Sequence, residues 1–203
     1  MPDPTDLLDT LPPPPAATAG RLDRRRFLCG GMAALAAALL PTPALAALRT
    51  ATATLPPERT LTLYNSHTGE SLRATYWRHG AYLRDALAEI DYLLRDHRTG
   101  DVQTIEPTLL DLLSTLHARL ESRDPIHVIS GYRSPATNAA LRNHGHGVAR
   151  HSLHMAGMAV DFDLPDRDLP AIRRAAIALR GGGVGYYPES QFVHVDVGPV
   201  RHW

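Results

Sequence analysis

Three short segments of this 203-residue chain carry side chains that can do chemistry together. In Ser152-Leu153-His154-Met155-Ala156-Gly157-Met158-Ala159-Val160-Asp161, a histidine and an aspartate flank a glycine that lets the backbone turn sharply. Both side chains can converge on one metal ion. In Phe192-Val193-His194-Val195-Asp196-Val197, His194 and Asp196 are two apart in an alternating segment, so as a strand they face one side, which Phe192 can share. Two histidines and one carboxylate make a zinc site with a fourth position left for water. A metal held this way acidifies water and polarises a carbonyl, and a neighbouring carboxylate can act as general base. The third segment is Ser130-Gly131-Tyr132-Arg133-Ser134. An arginine there can bind a carboxylate bidentately or stabilise a developing oxyanion. Each motif alone is weak, since an H-x-D on a strand is more often structural; the three together are far more specific.

The elements that must position these residues read as α+β. Leu61 to Tyr64 alternates as a strand, residues 65–70 form a turn, and residues 71–77 return as its hairpin partner. Leu83, Leu87, Ile90 and Leu94 recur at helical spacing, which predicts a helix over 81–95. Pro107 opens a second helix over 107–122, with Leu109, Leu113, Leu116 and Leu120 on one buried face. Residues 126–129 form a short strand, and Pro135 opens a helix over 135–143. The Gly/His-rich stretch 144–151 reads as a loop. Residues 158–164 alternate as a strand. Asp168 can cap a helix over 169–180, and the last two strands cover 184–186 and 192–197. The expected fold is a small, largely antiparallel sheet flanked by helices.

Composition narrows the chemistry. The net charge is +0, which argues against a nucleic-acid binder working through bulk charge. One cysteine, Cys29, excludes an intrachain disulfide and a four-cysteine metal site. Residues 2–20 are rich in Pro, Asp, Thr and Ala and read as disordered. Asp23-Arg24-Arg25-Arg26-Phe27-Leu28, an apolar run to Leu40 and Ala44-Leu45-Ala46 then make a secretory signal with a small-x-small cleavage site. The run is too short for a comfortable span of ~20 residues, so no stable membrane span is expected after cleavage. The Arg-Arg-x-Phe-Leu pattern of Arg24-Arg25-Arg26-Phe27-Leu28 resembles a twin-arginine (Tat) signal, although Asp23 replaces the usual Ser or Thr. The expected organisation is a signal-bearing segment over 1–46, a linker over 47–59 and a metal-dependent domain over 60–203, exported to the periplasm through the Tat machinery.

Asn65-Ser66-His67-Thr68-Gly69-Glu70, Leu94-Arg95-Asp96, Ser130 to Pro135, Ser152 to Met155 and Val193 to Trp203 together resemble the zinc D-Ala-D-Ala peptidases and murein endopeptidases grouped with the hedgehog fold, most of all their YcbK-like branch. The resemblance covers about residues 58–203. It implies a zinc ion (Zn2+) on the sheet, held by His154, Asp161 and His194, with Arg133 polarising the substrate carbonyl. It implies peptidoglycan as substrate and a murein endopeptidase as activity. A carboxypeptidase or dipeptidase, or a zinc-bearing wall-binding module without turnover, are the alternatives. Many relatives have His-x-His where this chain has His194-x-Asp196. The preferred register makes His194 the ligand and Asp196 the base or an orienting group; the reverse exchanges them, and Glu189 is a third candidate base. His144, His146, His151, His67, His127, Ser152, Tyr132 and Tyr186 each have an ordinary loop, turn or packing explanation.

Overall fold

The computed structural model describes residues 58–143 and 148–203. The expected signal, the linker up to residue 57, and His144 and His146 lie outside the described residues.

The strands are β1 (Glu58–Asn65), β2 (Ser71–Arg78), β3 (Ala81–Tyr82), β4 (Ile126–Ser130), β5 (Ala159–Asp163), β6 (Gly183–Tyr187), β7 (Phe192–Asp196) and β8 (Arg201–His202). The helices are α1 (Arg84–Leu93), α2 (Pro107–Arg119), α3 (Pro135–Asn143) and α4 (Leu169–Leu179), with a 3-10 turn at Leu153–Ala156. The α+β class holds, and β1 and β2 form the expected hairpin. The sheet is a different object from the small, largely antiparallel one expected. It has eight strands in the order β3-β2-β1-β4-β5-β7-β6-β8, and it is mixed. β1 and β4 pair in parallel because α1 and α2 intervene and carry the chain back to the same end. β8 pairs in parallel with β6 because the chain reverses after β7, which is itself antiparallel to β6. Two-residue strands such as β3 and β8 are too short to show a period. β1 also starts at Glu58, so Glu58 and Arg59 are strand rather than linker.

Helical leucines account for much of the core. Ile90 and Leu94 from the first predicted helix are buried, as are Leu109, Leu113 and Leu116 from the second. They meet Leu61 and Leu63 of β1, Tyr76 of β2 and Val128 of β4 in one cluster. Asp168 occupies the N-cap position of α4 but makes no side-chain capping bond; Pro170 in the first turn supports that helix start instead.

Candidate metal centre

Alternation along β5 and β7 sorts their side chains. Val160, Phe162, Val193 and Val195 point into the core, so Asp161, His194 and Asp196 emerge on the opposite face. Asp161 and His194 are direct partners across the antiparallel ladder, which sets their side chains next to each other. His154 arrives from the 3-10 turn. That turn ends at Gly157 with φ +68°, where an added Cβ would overlap the carbonyl oxygen of Thr104. Only glycine fits both the left-handed backbone and the close approach.

Three atoms converge. His154 Nε2 lies 3.2 Å from His194 Nδ1 and 3.3 Å from Asp161 Oδ1. His194 Nδ1 lies 2.8 Å from Asp161 Oδ1. Among the described residues, these three form a group whose ligand atoms can hold one ion. Ligands ~2.0–2.2 Å from a tetrahedral zinc are about 3.3–3.6 Å apart, close to this triangle.

The hydrogen bonds around the triangle test whether a cation fits. His154 Nδ1–H donates to the carbonyl of Gly131 at 2.7 Å, which leaves Nε2 as a bare lone pair. His194 Nε2–H donates to Asp196 Oδ2 at 3.1 Å, which leaves Nδ1 bare as well. With both rings neutral, two imidazole lone pairs and a carboxylate oxygen face one another. Such a set is repulsive by itself and is satisfied by a divalent cation, so the residues fit a metal.

A proton on either imidazole acts on Asp161 as a bound cation would. Burial pushes the Asp161 carboxyl up, and His154 and His194 beside it more than offset this, holding it well below the usual carboxylate range. Burial disfavours the His194 cation, yet the hydrogen bonds to Asp161 and Asp196 outweigh it and raise the imidazole pKa. Asp196 is fully buried. Its Oδ1 accepts from the backbone N–H groups of Gly183 at 3.0 Å and Gly198 at 2.9 Å, and its Oδ2 from Arg201 at 2.7 Å. Burial works against its charge, and these donors together with His194 hold its pKa well below the usual range.

Arg133 is stitched to His154. Its backbone N–H donates to the His154 carbonyl at 3.2 Å, while His154 donates back to Gly131. Tyr132 N–H donates to Leu94 O at 2.7 Å, and a Cβ on Gly131 would lie 2.9 Å from that of Leu94. The guanidinium makes long contacts to Ser130 Oγ at 3.2 Å and Asp161 Oδ2 at 3.5 Å. Its Nε is buried without a partner, and burial lowers its pKa. Arg133 also lines an open cleft of about 420 Å³ beside the triangle.

The other candidates separate cleanly. His151 and Ser152 line the cleft. Glu189 is exposed in the turn after β6 and is not among the cleft-lining residues. Asp196 is not among them either; it lies behind His194. Tyr132 and Tyr186 pack against the core. His67 stacks on His97 with ring centroids 3.9 Å apart, and His127 faces Asp163 at 3.8 Å. Among the cleft residues, Tyr187, Phe192 as a wall, Arg201 and Trp203 were assigned no role from sequence. An arginine and a tryptophan closely following the H-x-D segment were the available signal.

Residues 53–203 match the family model described as peptidoglycan L,D-endopeptidase MepK. The chain is 47% identical over 181 residues to the peptidoglycan L,D-endopeptidase MepK of Escherichia coli strain K12, covering 89% of this chain and 97% of that protein. The protein of the same name in Shigella flexneri matches to the same extent. A probable peptidoglycan L,D-endopeptidase MepK of Haemophilus influenzae is 40% identical over 182 residues, 89% of this chain and 95% of that one. On a match that spans the whole described domain and its candidate metal ligands, the chain belongs to the M15-type peptidase family of the peptidoglycan L,D-endopeptidase MepK.

Proposed function

We propose that the protein is a zinc-dependent murein endopeptidase that hydrolyses L,D amide cross-links between the peptide stems of peptidoglycan. One observation carries the reading: three candidate ligand atoms converge within 3.3 Å of one another in a cleft that Arg133 also lines. The name shared by the relatives supports the substrate and the stereochemistry of the bond. A zinc ion held by His154, Asp161 and His194 would supply Lewis acidity and an acidified water.

The chain's own groups do the rest. His154 and His194 present their bare nitrogens because Gly131 and Asp196 take the protons on the far side of each ring. Arg133 directs its free donors at the position where oxyanion charge develops. We assign Asp196 to positioning rather than to proton transfer, because its lone pairs are already taken by backbone, Arg201 and His194 donors. The signal-like segment upstream supports export to the periplasm through the Tat machinery. Among the described residues, no helix is long and apolar enough to cross a membrane.

The test is digestion of purified L,D-cross-linked muropeptide dimers, read by mass spectrometry, alongside metal analysis. Release of monomers by a protein carrying about one zinc is expected. Arg133→Ala is expected to keep the metal and lose about 10²–10³ in kcat. A His154→Ala variant with full activity and full zinc would sink the assignment. Loss of a terminal residue from monomers, with dimers left intact, would make the enzyme a carboxypeptidase.

A further inference from the structure

The cleft has a second wall that the reaction chemistry above does not use. Tyr187 on β6, Phe192 on β7 and Trp203 beyond β8 line it. The rings of Tyr187 and Phe192 stack with centroids 4.6 Å apart. Trp203 Nε1–H donates to the Tyr187 hydroxyl at 2.8 Å, and Arg201 lies 5.1 Å over the indole. The backbone of Trp203 is pinned at both its N–H and C=O, to Val184 and Tyr186, at 3.1 Å each. Gly185 leaves the room: a Cβ there would lie 2.8 Å from the Tyr187 ring and 2.9 Å from that of Trp203. The rings are therefore fixed, yet Trp203 remains 47% and Tyr187 37% exposed. Apolar area that is rigid and wet favours binding twice over, because covering it removes water and little side-chain freedom is lost.

Distance decides what covers this wall. The Trp203 ring centroid lies 5.4 Å from that of His194, so the wall begins beside the metal ligands. On the endopeptidase reading, on which this inference rests, the cleaved bond joins two diaminopimelate residues. The glycan begins at least two stem residues further on, roughly 7 Å or more at ~3.3–3.6 Å per extended residue. What reaches the wall is the chain of methylenes within the diamino acid. We infer that Tyr187, Phe192 and Trp203 form a subsite that packs the methylene stem of the diaminopimelate flanking the cleaved bond and selects for its length.

The test pairs two synthetic L,D-linked dimers, one built on meso-2,6-diaminopimelate and one on the diaminoadipate homologue that is one methylene shorter. The wild type is expected to show a KM about fourfold higher for the shorter dimer, the worth of one buried methylene. Trp203→Ala is expected to raise KM for the longer dimer about tenfold and to abolish the length preference. Trp203→Phe, which keeps a ring on the same backbone pairing, falls between; with Phe192→Leu it carries the comparison if Trp203→Ala does not fold. Zinc content stays at the wild-type level in each folded variant. A length preference that survives intact in the variants, or a loss confined to kcat, overturns the subsite and leaves the endopeptidase reading standing. A wild type that cleaves neither dimer overturns that reading and the subsite with it.

Discussion

Asp96 and Asp161 are both buried carboxylates, 1% and 6% exposed, and their surroundings are opposites. Asp96 closes the loop after α1. It accepts from the backbone N–H of Ser134 at 2.9 Å and of Arg98 at 3.0 Å, with the hydroxyls of Thr137 and Ser134 beside it. Every neighbour is a donor. Asp161 instead faces His194 Nδ1 at 2.8 Å and His154 Nε2 at 3.3 Å, and the nearest arginine stands at 3.5 Å. A saturated carboxylate holds the chain together; a carboxylate beside two imidazoles offers its charge to whatever cation occupies the site, a proton or a metal. The two regions are also joined, because Asp96 fastens Ser134 and so steadies the segment that carries Arg133.

The sharpest way to break the comparison is to give each carboxylate an amide. Asp161→Asn replaces an acceptor with a group that can donate to the bare histidine nitrogens. Loss of the metal and a fall of at least ~10³ in activity are expected. Metal analysis and single-turnover assays check both halves. An Asp161→Asn variant that keeps full metal and full activity would erase the distinction. One step back from the metal, Asp196→Asn should weaken metal affinity about 10–100-fold, since it loosens the grip on His194. Competition against a chelator measures this.

Asp96→Asn should do the reverse: retain the metal and lose stability. Burial raises the Asp96 pKa, the donors around it outweigh that, and the result is a carboxyl held down at about 2. A pKa depressed on folding adds stability above the unfolded value of ~3.9, and this is lost as pH falls through the folded value. The contribution is about 2–3 kcal/mol at neutral pH. Urea midpoints of wild type and Asp96→Asn should therefore differ most above pH 5 and approach each other towards pH 2. A gap that stays constant across that range would show that the charge on Asp96 is not what matters.

How far each region could be read from sequence follows from the same physics. Helix positions were legible because Leu109, Leu113 and Leu116 repeat at a period that only a helix satisfies, and the residues they bury need no partner beyond another apolar surface. The convergence of His154 and Asp161 was legible from their spacing around one glycine, whereas His194 joined them mainly through the family resemblance, and its pairing with Asp161 across the ladder came from the structure. Strand pairing was not. The parallel pairing of β1 with β4 depends on how α1 and α2 pack, which no local period records. Saturation was hidden too. Asp196 looks like a free base until β8 returns Arg201 and the turn supplies the Gly198 N–H. Asp96 likewise shows no mark in sequence of the N–H groups that will meet it.

Glu189 gives the comparison its smallest and most discriminating effect. By spacing it stands near His194, and by type it could accept a proton. Its backbone lies in the turn between β6 and β7, and the chain from Phe192 onward is drawn into the ladder, with Tyr187 paired to Phe192. The strands thus carry Tyr187 and Phe192 to the cleft wall and leave Glu189 exposed at the loop tip. A proton acceptor must come within hydrogen-bond reach of the attacking water, directly or through one more water. Glu189→Gln is therefore expected to change kcat/KM less than about twofold, with an unaltered pH profile. A fall of about a hundredfold, with loss of the acidic limb of that profile, would place this carboxylate over the metal in the working enzyme. The turn would then have to close on the cleft when substrate binds, and Tyr187 would move with it.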